Sequence, residues 1–572
     1  MSDAQNAISP GNWLSVEQQA VASAGTNIFL RACPGSGKTR TVAARVALET
    51  DSGRKVALLS YTRTGAKEIS AAVARQHGTL LSGDHFVGTI HSFLQKFVLH
   101  PFGHLFTGSQ VSVMIDPAEA DRDSPVGLNL SDFQFDVDGA LSRVRRKSIR
   151  RTEVDEARSA KESNAIRGYL NYEDAIFASM MVLRLHPHIA VALASRFDEI
   201  IVDEAQDTSA LQLECLRLIA GAGLTSLMLV GDYDQSIYGF SGASPEGCEK
   251  LALDLGLDLL TLTENYRSSQ AICNVAAAFR GGGIPDSAVG EHANIGIPPQ
   301  IIFYSPGEEP ALARVLDQAI GKNGLTAESL MVLVRASALA DRIRGESRPR
   351  IARPILDLLE ARLAAFLTLD QYRELEQILI QRSFGVRNPN VRIDRVQIRN
   401  HVIELVNELP ELEGDLGSWA RESMIVVNSH ASSISPTTYT GETISIPADW
   451  SRYSVEEPGS AHPRVAVETI HKAKGMSIDA VMLVAEKPSE DWHTSNASAW
   501  SASLVAGQRD LMTEETRLAY VALSRARQFF VLALPHDTTS HIVQRYVDIG
   551  FSVVSYETSV PTDRQPLLDK TD

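Results

Sequence analysis

The chain contains 572 residues, of which 44% are hydrophobic and 22% are charged, and its net charge at pH 7 is −16. This length exceeds what one hydrophobic core supports, so several domains are expected, and the composition is that of a globular protein without a bilayer-spanning apolar run. Because the net charge is negative, nucleic acid would have to bind at a local cationic track rather than over the surface as a whole.

The N-terminal segment MSDAQNAISPGNW lacks the basic start and the apolar stretch of a signal peptide. The four cysteines, at positions 33, 215, 248 and 273, are scattered and show no C-x-x-C spacing. This pattern argues against a zinc or disulfide framework and favours a reducing compartment, so a cytoplasmic location is expected.

The first predicted strand and helix enclose a glycine-rich loop. TNIFL (26–30) is rich in residues that favour strands, and the segment after Lys38 is rich in helix formers. Between them a Lys-Thr pair stands at a helix N-terminus, as in a phosphate-binding P-loop. Lys38 would reach the β- and γ-phosphates, and the Thr39 hydroxyl would bind Mg²⁺. The other nucleotide contacts predicted in this loop are Ala32, Cys33, Pro34, Gly35, Ser36, Gly37 and Arg40.

This loop alone is equally compatible with a chance turn rich in Gly and Ser, and Ala32 stands where the P-loop pattern has its first glycine. A second segment, EIIVDEAQDT (199–208), supplies the missing support. Its apolar run places Asp203 and Glu204 at the C-terminal end of a predicted buried strand. Asp203 would bind Mg²⁺, and Glu204 would orient or deprotonate the attacking water. Acids at a strand end are ordinarily just solvated, but together the two segments predict an ATPase.

Several further segments carry a family resemblance. VGDYDQSIYGFSGA (230–243) resembles the coupling motif of superfamily 1 DNA helicases of the UvrD/PcrA/Rep type. Other motifs of that family follow in the same order along the chain. They are LSVEQQAV (14–21), LLSYTRTGAKEI (58–69), GTIHSF (88–93), LTENYRSS (262–269), ETIHKAKGM (468–476) and EETRLAYVALSRAR (514–527). The resemblance covers nearly the whole chain.

The resemblance implies roles for residues around the nucleotide. Two arginines would reach the γ-phosphate from across a cleft, a glutamine would sense that phosphate, and a ring and an amide would hold the adenine. In that order these residues are Arg267 and Arg525, Gln235, Tyr266, and Gln18. Lys474 and Gly475 match a third phosphate-side contact.

The resemblance also implies a track for single-stranded DNA, with aromatic platforms beside polar phosphate contacts. The residues concerned are Tyr61, Thr62, Arg63, His91, Tyr238, Phe240, Thr469 and His471. Phe240, which replaces the family's common Trp, is expected to stack on a base, whereas Phe93 is expected in the core. The basic run SRVRRKSIRR (142–151) fits nucleic-acid phosphates and a solvated helix face equally well.

Three departures from the family pattern lie outside the predicted catalytic residues. Arg63-Thr64 replaces Asn-Lys, Ser241 replaces an Arg, and Ser477 replaces an acid that resembles a ribose contact. The loss of that acid is expected to loosen nucleotide affinity or selectivity without removing hydrolysis.

The resemblance implies an α/β fold with two RecA-like motor domains, each interrupted by a mostly helical insertion. The predicted boundaries are 12–92 and 166–275 for the first motor domain, 93–165 for its insertion, 276–344 and 463–560 for the second motor domain, and 345–462 for its insertion. Within the second insertion, the Ser-, Thr- and Pro-rich stretch from Val426 to Ser460 predicts a loop or linker. Residues 487–510 show no clear period and predict a long loop.

The sequence therefore predicts an ATP- and Mg²⁺-dependent helicase or translocase that acts on single-stranded DNA and duplex junctions in repair, replication or recombination. Its 3′→5′ polarity rests on the resemblance alone, and a nuclease or repair protein is an expected partner. A second hypothesis is a DNA-sensing ATPase subunit of an antiphage complex that contains a nuclease. A third is a P-loop enzyme with a small-molecule acceptor, whose ATPase would be indifferent to DNA. The remaining acids and histidines show no clustered metal-ligand spacing.

Overall fold

A computed structural model describes residues 14–78, 81, 83–116, 120, 130–143, 151–237, 239, 242–280, 283–344, 353–363, 369–384, 395–411, 414–435, 465–486, 496–501, 504 and 513–556. The chain divides into two compact units. The first comprises residues 1–304, 318–335 and 468–556, and the second comprises residues 305–317, 336–467 and 557–572.

A parallel sheet forms the centre of the first part of the first unit. Its strands, numbered in chain order, are β1 (Ile28–Ala32), β2 (Val56–Ser60), β3 (Phe86–Thr89), β8 (Glu199–Asp203), β9 (Ser226–Gly231) and β10 (Asp258–Leu262). They lie in the order β10-β1-β9-β8-β2-β3. The residues of β2, β8 and β9 are all buried, as expected for strands covered on both faces. The C-terminal ends of β1, β8 and β9 therefore meet at one edge.

A second parallel sheet lies in the same unit. Its strands are β13 (Gln300–Tyr304), β14 (Leu330–Val334), β16 (Ile478–Val484), β17 (Ala526–Pro535) and β18 (Ser552–Val553). The strand β15 (Val465–Thr469) begins in the second unit and ends in the first. Those that lie wholly in the first unit follow the order β14-β16-β17-β13-β18. Among the described residues there are also three two-stranded pairs: β4 (Met114–Ile115) with β7 (Tyr169–Leu170), β5 (Phe133–Phe135) with β6 (Leu141–Arg143), and β11 (Glu264–Asn265) with β12 (Ser287–Ala288).

Helices connect and cover the two sheets. Those of the first unit are α1 (Val16–Ala22), α2 (Lys38–Asp51), α3 (Arg63–His77), α4 (Ile90–Leu94), α5 (His100–Phe102), α6 (His104–Thr107), α7 (Arg151–Ile166), α8 (Tyr172–Leu185), α9 (Pro187–Arg196), α10 (Ala210–Gly221), α11 (Pro245–Asp254), α12 (Gln270–Phe279), α19 (Ile470–Ala473), α20 (Asn496–Ser501), α21 (Glu514–Leu523) and α22 (Ser540–Asp548). A π-helical turn, Gln95–Leu99, follows α4. The helix α13 (Leu312–Lys322) begins in the second unit and ends in the first.

Apart from the first residues of β15, the regular structure described in the second unit is helical. Its helices are α14 (Ser337–Ile343), α15 (Arg353–Leu363), α16 (Leu369–Phe384), α17 (Arg395–Glu408) and α18 (Leu416–Ile434). Helices α15 to α18 share one core, in which Leu379, Val402 and Trp419 are almost completely buried. At the start of α18, the Asp415 carboxylate accepts a hydrogen bond from the Ser418 N–H at 2.9 Å and caps the helix.

The predicted α/β class is confirmed, and the described residues contain two sheets whose strands pair in parallel. Phe93 is 1% exposed and packs in the core of the first sheet, as expected. Two predicted loops are partly wrong. Residues 426–434 belong to α18, because Val427 and Ile434 pack against the helical core. Asn496–Ser501 is a helix whose Trp500 is buried. Most of the basic run 142–151 and all of residues 436–464 lie outside the described residues.

In the described ranges no single helix has the length and apolar character needed to cross a bilayer. Helices α8 and α9, which meet at 99°, would qualify only as a bent pair.

A buried ion pair joins α2 to the N-terminal end of β8 in the first sheet. Nη2 of Arg45 lies 2.7 Å from Oε1 of Glu199, and both side chains are at most 1% exposed. The guanidinium also donates to the carbonyls of Ala24 and Gly25, and the Ser226 hydroxyl donates to the same carboxylate oxygen. These bonds compensate for much of the cost of burying both charges.

Replacement of Arg45 by Met is expected to destabilise the first unit, because it leaves the Glu199 carboxylate buried without a counter-charge. Breaking a buried pair in this way costs about 3–5 kcal/mol. Urea unfolding followed by tryptophan fluorescence and circular dichroism would measure the loss. The matched control is Arg217→Met, whose own side chain is 48% exposed and whose partner Glu214 keeps a second ion pair with Arg184. We expect this change to cost at most about 1 kcal/mol, and equal midpoints for the two variants would contradict the prediction.

Candidate nucleotide site and coupling network

The glycine-rich loop joins β1 to α2 at the C-terminal edge of the first sheet. It brings together all the predicted loop residues in one continuous turn, namely Ala32, Cys33, Pro34, Gly35, Ser36, Gly37, Lys38, Thr39 and Arg40. Gly37 has φ +78° and directly precedes the helix. Gly35 has φ +71°, and a Cβ there would overlap the Cβ of Arg267. Glycine is therefore required at position 35 for both its backbone conformation and the space it leaves.

Gln18 lies on the opposite side of the same loop. Its Nε2 donates to the Ser36 carbonyl at 2.9 Å, and its Oε1 accepts from the Ser15 N–H at 3.1 Å. A Cβ on Gly37 would lie 2.6 Å from this Nε2. The predicted adenine-reading amide is thus packed against the loop backbone, and it helps to fix the loop's shape.

The half-buried Lys38 stands in a field of carboxylates. Burial alone would lower the pKa of its ammonium, but Glu204, Asp232 and Asp203 outweigh burial, so the pKa of Lys38 is raised. The lysine is therefore firmly protonated. A permanent cation at the start of a helix forms a site for a polyanion.

The adjacent acids Asp203 and Glu204 end β8 in different environments. Burial raises the pKa of Asp203, and the neighbouring charge of Glu204 raises it further. For Glu204, burial acts in the same direction but is outweighed by Lys38 and Lys474, so its pKa is lowered. Glu204 also has a left-handed backbone with φ +53°, an uncommon conformation for a residue other than glycine. Two adjacent acids with opposite pKa shifts are typical of groups with separate roles.

Arg525, at the end of α21, links the second sheet to the first. Its side chain is 2% exposed, and Nη2 donates to Oε1 of Gln235 at 2.6 Å. Nε2 of Gln235 in turn donates to Oδ2 of Asp232 at 2.7 Å. This chain of hydrogen bonds connects a predicted γ-phosphate arginine, the predicted sensor glutamine and the strand end of β9.

Arg267 lies beside the same junction. Its Nη1 donates to the Ser524 carbonyl at 2.9 Å, and its backbone N–H donates to Oδ1 of Asn265 at 2.8 Å. Burial lowers the pKa of Arg267, and the nearby cations Arg525 and Arg527 lower it further. Both guanidinium groups lie close to the glycine loop, and an anion bound between them would reduce their electrostatic repulsion.

Lys474 makes a second link between the sheets. Its Nζ forms an ion pair with Oδ2 of Asp207 and donates to the Gln235 carbonyl at 3.0 Å. Asp207 is 3% exposed, and burial raises its pKa to about 6, although Lys474 opposes the shift. Gly475 follows with φ +89°. The lysine ammonium is already paired, so it would have to exchange partners to reach a phosphate.

Tyr266 occupies the outer rim of the loop. Its backbone N–H donates to the Gly35 carbonyl at 2.9 Å, and its hydroxyl donates to Oε2 of Glu264 at 2.9 Å. The ring is 38% exposed. An exposed ring fixed beside the glycine loop is compatible with stacking on a base, the role that the sequence predicts.

The donors available for a cation fit Mg²⁺. Thr39 is exposed on the first turn of α2, and the carboxylate of Asp203 ends β8 at the same edge of the sheet. A hydroxyl and a carboxylate are hard oxygen ligands, which Mg²⁺ prefers and usually supplements with water and substrate phosphates. Thr39 and Asp203 would therefore hold the ion.

A cavity of about 420 Å³ opens beside the nucleotide side of the first sheet. Its lining includes two predicted DNA contacts, Tyr61 and His91, together with Tyr172, Asp207 and Gln212. The His91 ring lies edge-on to Tyr172, with centroids 6.2 Å apart, and its Nδ1 is 3.3 Å from Nε2 of Gln212. Burial lowers the pKa of His91, which favours the neutral ring.

The other predicted DNA contacts are placed only in part. Thr62 caps α3, its hydroxyl accepting from the Gly65 N–H at 3.0 Å, and Thr469 stands at the N-terminus of α19. His471 is half-buried on α19, where burial lowers its pKa. Tyr238 and Phe240 lie outside the described residues, and so does the side chain of Arg63.

Two acids that connect these groups were not predicted from the sequence. Asp207 stands four residues after Asp203 in the segment EIIVDEAQDT, and Asp232 directly follows β9 as Asp203 ends β8. Their positions after buried strands were a usable signal. Their partners, Lys474 and Gln235, were not visible because the contacts depend on the tertiary fold.

Comparisons with known proteins place these motifs in a family. Residues 14–118 and 140–255 match the model of the UvrD/REP helicase N-terminal domain, and residues 443–535 match that of the UvrD-like helicase C-terminal domain. DNA helicase II of Escherichia coli (strain K12) is 29% identical over 286 residues, covering 46% of this chain and 39% of that protein.

Two further relatives give similar values. ATP-dependent DNA helicase UvrD1 of Mycobacterium leprae is 26% identical over 369 residues, covering 57% of this chain and 47% of that protein. ATP-dependent DNA helicase PcrA of Staphylococcus aureus (strain Mu50 / ATCC 700699) is 26% identical over 296 residues, covering 46% and 39%. The chain thus spans less than half the length of each of these relatives.

Proposed function

The chain belongs to the UvrD/REP helicase family of superfamily 1, and on that basis we propose that it is an ATP-dependent DNA helicase that moves along single-stranded DNA. The observation that carries the proposal is the hydrogen-bonded chain Arg525–Gln235–Asp232. It joins the second sheet to the strand ends that surround Lys38, so groups from both sheets would contact one phosphate chain.

The roles of the residues follow from their chemistry. The loop amides and Lys38 would hold the phosphates, and Thr39 and Asp203 would hold Mg²⁺, which when bound neutralises charge on phosphate oxygens. Glu204, kept ionised by the neighbouring cations, would orient the attacking water and take its proton. Arg267 and Arg525 would stabilise the charge that develops as the terminal phosphate separates.

Movement would come from the difference between two states of this site. With phosphate between them, the two arginines and Lys38 would draw the two sheets together, and after phosphate release the arginines would again repel each other. A strand gripped by residues from both sheets would advance because its contacts differ between the two states. The cavity lined by Tyr61, His91 and Tyr172 would form part of the grip on the first sheet. The 3′→5′ polarity and a role in DNA repair, replication or recombination are included in the proposal.

Single-stranded DNA is expected to stimulate ATP hydrolysis by the wild-type chain, and Gln235→Ala is expected to lose that stimulation. The substitution removes the bridge between Arg525 and Asp232, while the phosphate-binding loop stays intact. Steady-state hydrolysis would be measured with and without oligodeoxythymidylate, and fluorescence anisotropy would show that DNA binding persists.

The matched control is Gln544→Ala, an exposed glutamine on α22. It should keep the stimulation of the wild type. Hydrolysis by the wild type that is indifferent to DNA would refute the proposed function and favour a small-molecule acceptor.

Strand displacement separates the two DNA-dependent hypotheses. A duplex with a 3′ tail should be unwound by the purified chain, and a duplex with a 5′ tail should not. DNA-stimulated hydrolysis without displacement of either duplex would favour the alternative, in which the ATPase licenses a partner nuclease.

A further inference from the structure

Two histidines and a glutamate converge in the second unit, at sequence positions outside the helicase motifs. His401 and Glu404 lie one turn apart on α17, and His430 lies on α18. One ligand atom from each of the three lies within 4.8 Å of the other two. This grouping corrects the expectation that the remaining acids and histidines show no metal-ligand clustering.

The two imidazole rings face each other through the same type of atom. Nδ1 of His401 lies 2.9 Å from Nδ1 of His430, and Oε2 of Glu404 lies 3.6 Å from Nδ1 of His401. In a tetrahedral zinc site with Zn–N bonds of about 2.0–2.1 Å, two ligand nitrogens are roughly 3.3 Å apart. The observed separations therefore need to change by only a few tenths of an ångström for both nitrogens to bind one ion.

A fourth residue orients one of the rings. Nε2 of His430 lies 3.2 Å from Oε2 of Glu408, which is also on α17. A carboxylate at this position accepts the Nε2 proton and leaves the lone pair of Nδ1 directed toward His401. A carboxylate behind a ligating histidine is the usual outer partner of a metal site, because it fixes the tautomer and raises the basicity of the ligand.

The two helices offer a firm frame for such a site. His430 is 6% exposed, its neighbour Val427 is fully buried in the core shared with α17, and Ala431 is also fully buried. Glu404 is 59% exposed in its side chain, so an ion could enter from solvent. Ligands on rigid, packed helices lose little conformational entropy when an ion binds.

We propose that His401, Glu404 and His430 form a binding site for a divalent transition-metal ion, with Zn²⁺ as the best match. Two imidazole nitrogens and one carboxylate suit Zn²⁺ and disfavour Mg²⁺ and Ca²⁺, which prefer all-oxygen ligands. A water would fill the fourth position. The ion would tie α17 to α18 and stabilise the helical unit by mass action.

The test uses the full-length chain, stripped with a chelator and dialysed against Zn²⁺ in excess Mg²⁺ so that the oxygen-ligand site of the motor is occupied. The wild type should bind one Zn²⁺ per chain that His401→Gln/His430→Gln does not bind. Co²⁺ should give visible d–d absorption with the wild type only. The midpoint of thermal unfolding should rise with Zn²⁺ in the wild type and stay constant in the double variant.

Two exposed carboxylates allow a test that does not disturb the core. Glu404→Gln should weaken Zn²⁺ binding strongly, and Glu408→Gln should weaken it by about 10-fold, as expected for an outer partner. The matched control is His186→Gln/His188→Gln, a histidine pair in the first unit with ring centroids 5.8 Å apart, which should bind Zn²⁺ like the wild type. Equal Zn²⁺ uptake by the wild type and His401→Gln/His430→Gln, or no uptake by the wild type, would overturn the proposal and leave a simple imidazole–imidazole hydrogen bond.

Discussion

Replacement of Arg525 by Ala is expected to lower the rate of DNA-stimulated ATP hydrolysis by about 10³-fold, the effect of removing an arginine that stabilises phosphoryl transfer. Arg525 is buried, and its guanidinium is held by the carbonyls of Val521 and Met476 as well as by Gln235. These contacts hold the planar guanidinium in one orientation, so its charge has a defined position that the alanine side chain cannot supply. Single-turnover hydrolysis would measure the chemical step directly.

Two controls separate lost catalysis from lost structure. Arg525→Lys retains the positive charge but not the planar guanidinium with its several N–H donors, and it should recover little of the rate of hydrolysis. Binding of a fluorescent ATP analogue and the melting temperature should change far less than the rate in both variants. A rate for Arg525→Ala within about 10-fold of the wild type would show that this arginine does not act on the transferred phosphate.

Lys38→Ala is expected to reduce turnover to background, a loss of about 10³-fold. The substitution removes the loop cation that faces Glu204, Asp232 and Asp203, so the carboxylates would repel the nucleotide. ATP binding should weaken along with hydrolysis, in contrast to Arg525→Ala. Malachite-green release of phosphate and nucleotide titration would record both effects.

Lys250→Ala, an exposed position on α11, serves as the matched control and should behave like the wild type. Hydrolysis that survives in Lys38→Ala, at a rate comparable with this control, would mean that the glycine loop is not the catalytic nucleotide site.

The parts of the site that the sequence could predict share one property: they are encoded locally. The glycine loop is a single segment between a strand and a helix, and Asp203 and Glu204 follow an apolar run that indicates a buried strand. These local patterns predict which residues lie at the C-terminal ends of the strands. They do not state which distant residue each side chain meets.

The partners across the cleft were beyond local reasoning. Arg267 donates to the Ser524 carbonyl although 257 residues separate them, and the ion pair of Lys474 with Asp207 spans 267 residues. Only the family resemblance suggested that such groups share a site. The His401–His430 contact, 29 residues apart on two helices, had no such resemblance to reveal it.

The extent of α18 illustrates a different limit. Its last turns read NSHASSI, a composition that alone favours a loop, yet the helix continues to Ile434. His430 and Ala431 are buried, and His430 contacts His401 and Glu408 of α17. This burial outweighs the weak intrinsic preference. Tertiary packing therefore decided an element that propensity could not.

The carboxylate of Asp207 takes part in two sites, the phosphate side of the nucleotide site and the cavity beside it. Oδ2 is bound to Lys474 on the phosphate side, while the same residue lines the cavity that holds Tyr61 and His91. If a polynucleotide occupies that cavity, it and the nucleotide bias the same side chain, and linkage then runs in both directions. If bound DNA raises the affinity for ATP by some factor, bound ATP must raise the affinity for DNA by the same factor. Rotation of the Asp207 carboxylate between these two partners would then determine how much of the free energy of ATP binding reaches each step along the strand.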